Sequence, residues 1–206
     1  MGAVWLLAGS YLLGSIPVGY LVGRLFGVDV RQQGSGNIGA TNVLRTIGKG
    51  PAAATLLLDI GKGFLPVILG RKILFLTPAW TIAVGLTAVI GHTFPIFLRF
   101  KGGKGVATGF GVLIGLSPLT ALYIFGVWLV VFAMSRIVSL SSLSAAVALP
   151  ILIWHLTNQE VAYLGFSCLV TFLVFLTHRT NIRRLLSGKE PKIKSPSIPL
   201  LQRGKK

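Results

Sequence analysis

Long apolar runs separated by short polar segments set the pattern of this chain. Runs with at most two charged residues cover 3–23, 51–70, 75–92, 105–117, 118–135, 138–156 and 160–177. A helix crossing a bilayer needs roughly 20 apolar residues, and several of these runs fall at or below that length. The 105–117 run is the weakest, and Ser117-Pro118 separates it from the next because proline starts a helix more readily than it continues one. The pattern predicts an all-α, polytopic helical bundle in the membrane with about seven transmembrane helices, and five or six as the alternative. Pro17 and Pro66 fall inside runs and predict local kinks. Residues 1–186 read as one transmembrane domain. Residues 187–206 read as a flexible basic tail, rich in Pro and Lys, held near anionic lipid headgroups.

Composition supports this and excludes much else. The 206 residues are 53% hydrophobic and only 12% charged, about half the charge of a soluble domain. The formal charge of +16 would suggest nucleic acid in a soluble protein. In a membrane protein it has a simpler origin, since Lys and Arg collect in cytoplasmic loops. With seven spans and the N-terminus outside, 17 Lys/Arg fall inside, while Arg71 and Lys72 fall outside and Lys62 lies within a span. The C-terminus is therefore expected in the cytoplasm, with the polar loops 24–50 and 93–104 on the same side. Cys168 is the single cysteine, so no internal disulfide can form, and no Cys/His cluster has metal-ligand spacing. No basic segment precedes the first apolar run, which therefore reads as a span and not as a cleaved signal.

The polar loops carry the candidate chemistry. The first reads Gly34-Ser35-Gly36-Asn37-Ile38-Gly39-Ala40-Thr41-Asn42-Val43-Leu44-Arg45. Its glycines let backbone N–H groups approach an anion closely. Ser35, Asn37, Thr41 and Asn42 add neutral hydrogen-bonding groups, and Arg45 adds a two-pronged cation. Gly34 to Gly39 matches G-x-G-x-x-G, and Asp59 lies 20 residues beyond the last glycine. A dinucleotide fold is excluded nonetheless, because that fingerprint needs a preceding strand and here an apolar helix precedes it. A phosphate cradle is favoured over a merely flexible re-entrant loop, because a second basic glycine loop accompanies it.

That second loop runs Gly91-His92-Thr93-Phe94-Pro95-Ile96-Phe97-Leu98-Arg99-Phe100-Lys101-Gly102-Gly103-Lys104-Gly105. It is not a Walker A loop, since Gly105 follows Lys104 where Ser or Thr is required. Lys101 and Lys104 offer point charges to a phosphate, and Gly102 and Gly103 offer close backbone approach; an ordinary basic turn is the alternative. Phe94-Pro95-Ile96-Phe97 fits an amphipathic segment in the interface, near where an acyl chain would enter. His92 is a candidate base. His178, with Arg179, Asn181, Arg183 and Arg184 behind it, forms either a third phosphate-facing element or a positive-inside anchor. His155 reads as interfacial, and its H-x4-E spacing to Glu160 has the wrong acid on the wrong side for an H-x4-D acyltransferase. Asp59 and Lys62, one turn apart in an apolar run, are a neutralising pair or a lysine oriented toward phosphate. Ser142, in the serine-rich start of the 138–156 run, serves packing or lines the site.

The first loop, the stretch from Gly91 to Thr108 and the stretch from His178 to Glu190 together resemble the bacterial acyl-phosphate:glycerol-3-phosphate acyltransferases, known as PlsY. Leu58 to Gly63 and Val138 to Ser142 extend the similarity over most of the chain. The resemblance implies transfer of a fatty acyl group from acyl phosphate to the 1-hydroxyl of glycerol 3-phosphate. Lysophosphatidic acid and phosphate are the products of this first acylation in phospholipid synthesis. It also implies no metal and no cofactor, a multi-pass protein of the bacterial inner membrane, and an active site facing the cytoplasm. The expected partners are the two substrates and membrane lipid, with no nucleic acid and no obligate protein partner. The expected catalytic set is Ser35, Arg45, Lys104 and His178. Gly34, Gly36, Asn37, Thr41, Asn42, Lys62, His92, Lys101, Gly102, Gly103, Ser142, Asn181 and Arg184 are expected to bind substrate or phosphate. The alternative function is a transporter of an organic phosphate, which predicts internal repeats and midplane polar sites. The sequence contains no internal repeat.

Overall fold

A computed structural model describes residues 1–158 and 160–193. Ten α-helices follow in order: α1 Gly2–Ser15, α2 Val18–Leu25, α3 Ala40–Thr46, α4 Lys49–Ile68, α5 Pro78–Thr93, α6 Val106–Leu116, α7 Pro118–Ser135, α8 Val138–Leu156, α9 Val161–Thr177 and α10 Arg179–Leu186. No strand occurs among the described residues. All seven apolar runs are helical, but they are not equal. Gly2–Leu25, Lys49–Ile73, Pro78–Leu98, α7 and α8 are long and apolar enough to cross a membrane. The pair α9 and α10, bent by 64°, makes a sixth if counted as one span. The 11 residues of α6 reach only about 16 Å, too short to cross alone. Length therefore supports five or six spans plus this short helix. The α6 end is finished inside the protein: Arg71 Nη1 donates to the Gly115 and Leu116 carbonyls at 3.1 and 3.2 Å.

The two prolines act differently from each other. Pro17 separates α1 from α2 outright. Pro66 sits inside an uninterrupted α4, and the irregularity comes three residues later as a π-helical turn, Leu69–Ile73.

Close helix packing comes from glycine. An added β-carbon at Gly14 would strike the Ala88 carbonyl, and one at Gly91 the Tyr11 carbonyl, so α1 and α5 touch backbone to backbone. Gly63 against Thr108 O and Gly111 against Ile60 O do the same for α4 and α6. Small residues replace the hydrophobic effect as the means of helix association in lipid. Helices α7, α8 and α9 form a second group, joined to the first where α7 meets α6 and α9 meets α5. A core of Val67, Ile82, Val112, Leu116, Ile153 and others closes the deep end between the groups. A small separate cluster of Val30, Ile38, Val43 and Ala52 underlies the first loop.

The expected tail boundary at residue 187 shifts. Residues 187–193 fold back over the bundle: the Ile193 N–H donates to Arg136 O at 2.9 Å, and Glu190 is buried. The remainder, 194–206, lies outside the described residues.

Candidate active site

The two helix groups leave between them a cavity of about 560 Å³. Its mouth is polar, formed by the first loop, Lys104, the α9–α10 junction and Glu190. Its interior is walled by apolar stripes of α6, α7, α8 and α9. Such a shape takes a molecule with a charged head and a long apolar body.

At the mouth, the first loop is shaped by Asn42. This side chain is buried, its Oδ1 accepts the Ser35 N–H at 2.8 Å, and its Nδ2 donates to Val30 O and Gln33 O at 2.8 and 3.1 Å. Asn37 Oδ1 accepts the Gly39 N–H at 2.8 Å. Asn42 thus holds the turn with both its amide oxygen and its amide nitrogen. Gly34 and Gly36 have φ of +59° and +71°, where glycine carries no steric penalty. They serve the loop's own path and do not line the cavity. Ser35, Thr41 and Arg45 do line it, and Arg45 Nη2 also reaches the Pro191 carbonyl at 3.4 Å.

Opposite this loop lies a chain of polar contacts. Lys104 Nζ donates to Asn181 Oδ1, and Asn181 Nδ2 donates to Glu190 Oε1. Ser139 Oγ donates to the same carboxylate oxygen at 2.7 Å, and Arg184 Nε donates to Oε2 at 2.6 Å. Burial works against the Glu190 anion, but the hydrogen bonds from Arg184, Asn181 and Ser139 win and hold it below the usual carboxylate range. Burial pushes Lys104 down to about 8, against the attraction of Glu190 and with help from Arg184 and Arg45. His178 Nδ1 lies 2.8 Å from Val174 O. A carbonyl can only accept, so Nδ1 carries the proton and Nε2 is left as the acceptor.

Behind the mouth, Asp59, Lys62 and His92 form a buried cluster. Lys62 Nζ lies 2.9 Å from Asp59 Oδ1 and donates to Ile16 O at 2.9 Å, while His92 Nδ1 is 3.6 Å from Asp59 Oδ1. Asp59 and His92 line the cavity, but Lys62 points to the end of α1 and does not. The second loop wraps on this cluster. The N–H groups of Gly102 and Gly103 donate to Thr93 O and His92 O at 3.2 and 3.0 Å. Those amides are spent inside the protein and are not presented to a phosphate. Lys101 is exposed and outside the cavity, so the loop delivers one lysine, Lys104, and not two.

Of the 17 residues singled out by sequence, Ser35, Asn37, Thr41, Asn42, Arg45, His92, Lys104, Ser142, His178 and Asn181 line the cavity. Gly34, Gly36, Lys62, Lys101, Gly102, Gly103 and Arg184 do not; Arg184 acts through Glu190. The sequence reading does not single out Glu190, takes Ser139 only as part of the serine-rich start of its run, and takes Asp59 only as a partner of Lys62. One signal was available: the chain has only four acids, and two of them, Asp59 and Glu190, sit in this site.

A family model described as "Glycerol-3-phosphate acyltransferase" matches residues 4–188. The chain belongs to the glycerol-3-phosphate acyltransferase family. As a family member it is a membrane enzyme of phospholipid synthesis that acylates glycerol 3-phosphate. A relative of that name in Synechococcus sp. (strain JA-3-3Ab) is 52% identical, covering 94% of each chain. Another in Geobacter sulfurreducens is 46% identical over 92% of this chain and 97% of its own. Among solved structures, the integral membrane acyltransferase PlsY (YgiH) in its glycerol 3-phosphate form superposes with a TM-score of 0.90 at 40% identity. The match covers 94% of this chain and 96% of that one. The lysophosphatidic acid form of the same protein gives 0.87. In this member of the family a basic mouth lies over an apolar interior.

Proposed function

We propose that this acyltransferase uses fatty acyl phosphate as donor and the sn-1 hydroxyl of glycerol 3-phosphate as acceptor, at the cytoplasmic face of the bacterial inner membrane. One observation carries the reading: Arg45, Lys104 and the His178–Asn181 pair converge at the mouth of an otherwise apolar cavity. Two phosphate-bearing substrates suit that mouth, and one acyl chain suits the interior. The solved relative's glycerol 3-phosphate form supports the acceptor. Lys and Arg crowd the mouth end of the bundle, Arg45, Lys49, Lys104 and Arg184 among them, and this supports the cytoplasmic side.

In the proposed reaction, the acceptor hydroxyl oxygen attacks the acyl carbonyl carbon. The new ester C–O bond forms and the acyl–phosphate C–O bond breaks, releasing inorganic phosphate. Arg45 and Lys104 neutralise the leaving phosphate and the charge growing on the carbonyl oxygen. Removing one such donor typically costs 10²–10³ in rate. Acyl phosphate is already activated, so no covalent enzyme intermediate is required, and a phosphate oxygen of substrate takes the hydroxyl proton. Ser35 as nucleophile and His92 or His178 as base are the competing assignments. His178 Nε2 is an acceptor at the mouth, where it orients a hydroxyl. Asn181 and Glu190 hold Lys104 in line.

The test is turnover by purified protein in detergent or lipid cubic phase, with palmitoyl phosphate or palmitoyl-CoA as donor and lysophosphatidic acid identified by mass. The expected result is product from acyl phosphate alone, lost in Arg45→Ala and Lys104→Ala. Turnover with acyl-CoA alone would refute the donor assignment. A His178→Ala enzyme that binds both substrates normally yet does not turn over would refute the substrate-assisted proton transfer.

A further inference from the structure

The apolar part of the cavity ends on a floor. On α9 the lining residues are Val174, Val170 and Phe166, four apart and on one face, and the lining stops at Phe166. On α8 it runs from Val138 and Ser139 and stops at Leu149. On α6 it stops at Leu113, and on α7, running from Phe132, at Ile124. All four end residues are more than nine-tenths buried, with Phe166 only 2% exposed. One turn further, Leu116, Ala121 and Ile153 belong to the packed core and line nothing. Four independent helices therefore close the cavity at one depth. Tight cores of this kind do not open to admit an extra methylene without cost.

We infer that Phe166, seated with Leu113, Ile124 and Leu149, is a ruler that sets the acyl-chain length this enzyme accepts. The inference rests on the reading that the cavity holds the donor's acyl chain. From Ser139 to Leu149 is ten residues of helix, about 15 Å, and from His178 to Phe166 is twelve, about 18 Å. A carbon chain with bonds of about 1.5 Å advances roughly 1.25 Å per carbon when extended. Twelve to fourteen methylenes thus fit below the carbonyl, which sets an optimum of about 14 to 16 carbons. The side wall is firm. Trp128 stacks on Phe132 with ring centroids 5.0 Å apart and donates to Ser142 Oγ at 3.3 Å, so the α7–α8 seam is tied across the groove. Phe125 also lines the cavity from α7 and is half exposed on its outer side.

The test compares kcat/KM for saturated acyl phosphates of 10 to 20 carbons, with an acyl-CoA series in parallel, in the wild type, Phe166→Ala and Ala146→Leu. Ala146 lies one turn above the floor on α8, so leucine there raises the obstruction. Ratios between chain lengths within one enzyme preparation are unaffected by the folded fraction. The wild type is expected to gain up to about fourfold per methylene below its optimum and to fall about tenfold between 16 and 18 carbons. Phe166→Ala moves the optimum up by about two to four carbons, and Ala146→Leu moves it down by about as much. A flat profile, or one unchanged in both variants, overturns the ruler. No turnover with acyl phosphate, but a length optimum that moves with acyl-CoA, keeps the ruler and overturns the donor. Turnover with neither series overturns both.

Discussion

Lys62 Nζ sits 2.9 Å from Asp59 Oδ1 on the next turn of α4, with both side chains almost fully buried. The same ammonium donates to the Ile16 carbonyl, which also accepts the Val18 N–H across the break at Pro17. One lysine thus closes the end of α1, where the helix dipole favours a cation, and neutralises an acid on α4. Removing one partner of a buried pair strands the other charge and costs about 3–5 kcal/mol. We expect Asp59→Asn and Lys62→Met each to lower the thermal midpoint of the purified protein sharply. The double variant Asp59→Asn/Lys62→Met should recover most of that loss. A double variant as unstable as the sum of the singles would show that the pair is not the coupled unit described here.

Gly103 is expected to be intolerant of alanine for a reason of space. An added β-carbon there would run into the His92 ring, and at Gly102 into the His92 carbonyl. Either change moves Lys104 one or two residues downstream. Activity of Gly103→Ala should fall at least tenfold, since displacing a positioned cation by about 1 Å can cost 10²-fold. Gly61→Ala, where a β-carbon meets nothing within 4 Å, should leave both activity and thermal midpoint close to wild type. Steady-state kinetics of the two variants side by side checks this.

The parts of the fold that follow periodicity were legible in the chain. Every apolar run became a helix, and Ser117-Pro118 did mark the boundary between α6 and α7. Span count was harder to read, because α6 is apolar over 11 residues yet ends inside the protein on Arg71, a contact 44 residues away in sequence. The site was legible as residue types and less so as roles. Arg45, Lys104, His178 and Asn181 reach the mouth. Which loop amide N–H groups are paired was not legible, because that depends on long-range partners such as Asn42 and the His92 carbonyl. Glu190 was hidden in what read as a solvated tail.

The pH dependence should be set by Lys104. Its value of about 8 lies below the ordinary 10.5, so the cation is complete near pH 7 and disappears as pH rises through 8. Keeping it charged costs stability at neutral pH, a cost that fades above 8 and is gone above the unfolded value. We expect kcat/KM to fall along an alkaline limb centred near 8. A guanidinium stays charged throughout this range. A Lys104→Arg enzyme, if active, should lose that limb in a profile from pH 6 to 10.

Glu190 bears on the same limb from the other side. Its carboxylate accepts from Ser139, Asn181 and Arg184, and its charge holds the Lys104 value up against burial. Glu190→Gln keeps the shape and removes the charge. Lys104 then loses its one attractive partner while the repulsion of Arg184 and Arg45 remains, so its value drops further below 8. The alkaline limb of kcat/KM should move to lower pH, and activity at pH 7 should fall as part of the lysine population becomes neutral. Asn181→Ala breaks the relay between Lys104 and Glu190 but leaves the charge in place, so it should lower the maximum with a smaller movement of the limb. Matched profiles of the two variants separate charge from geometry. An unmoved limb in Glu190→Gln would mean that Lys104 is not the group titrating there.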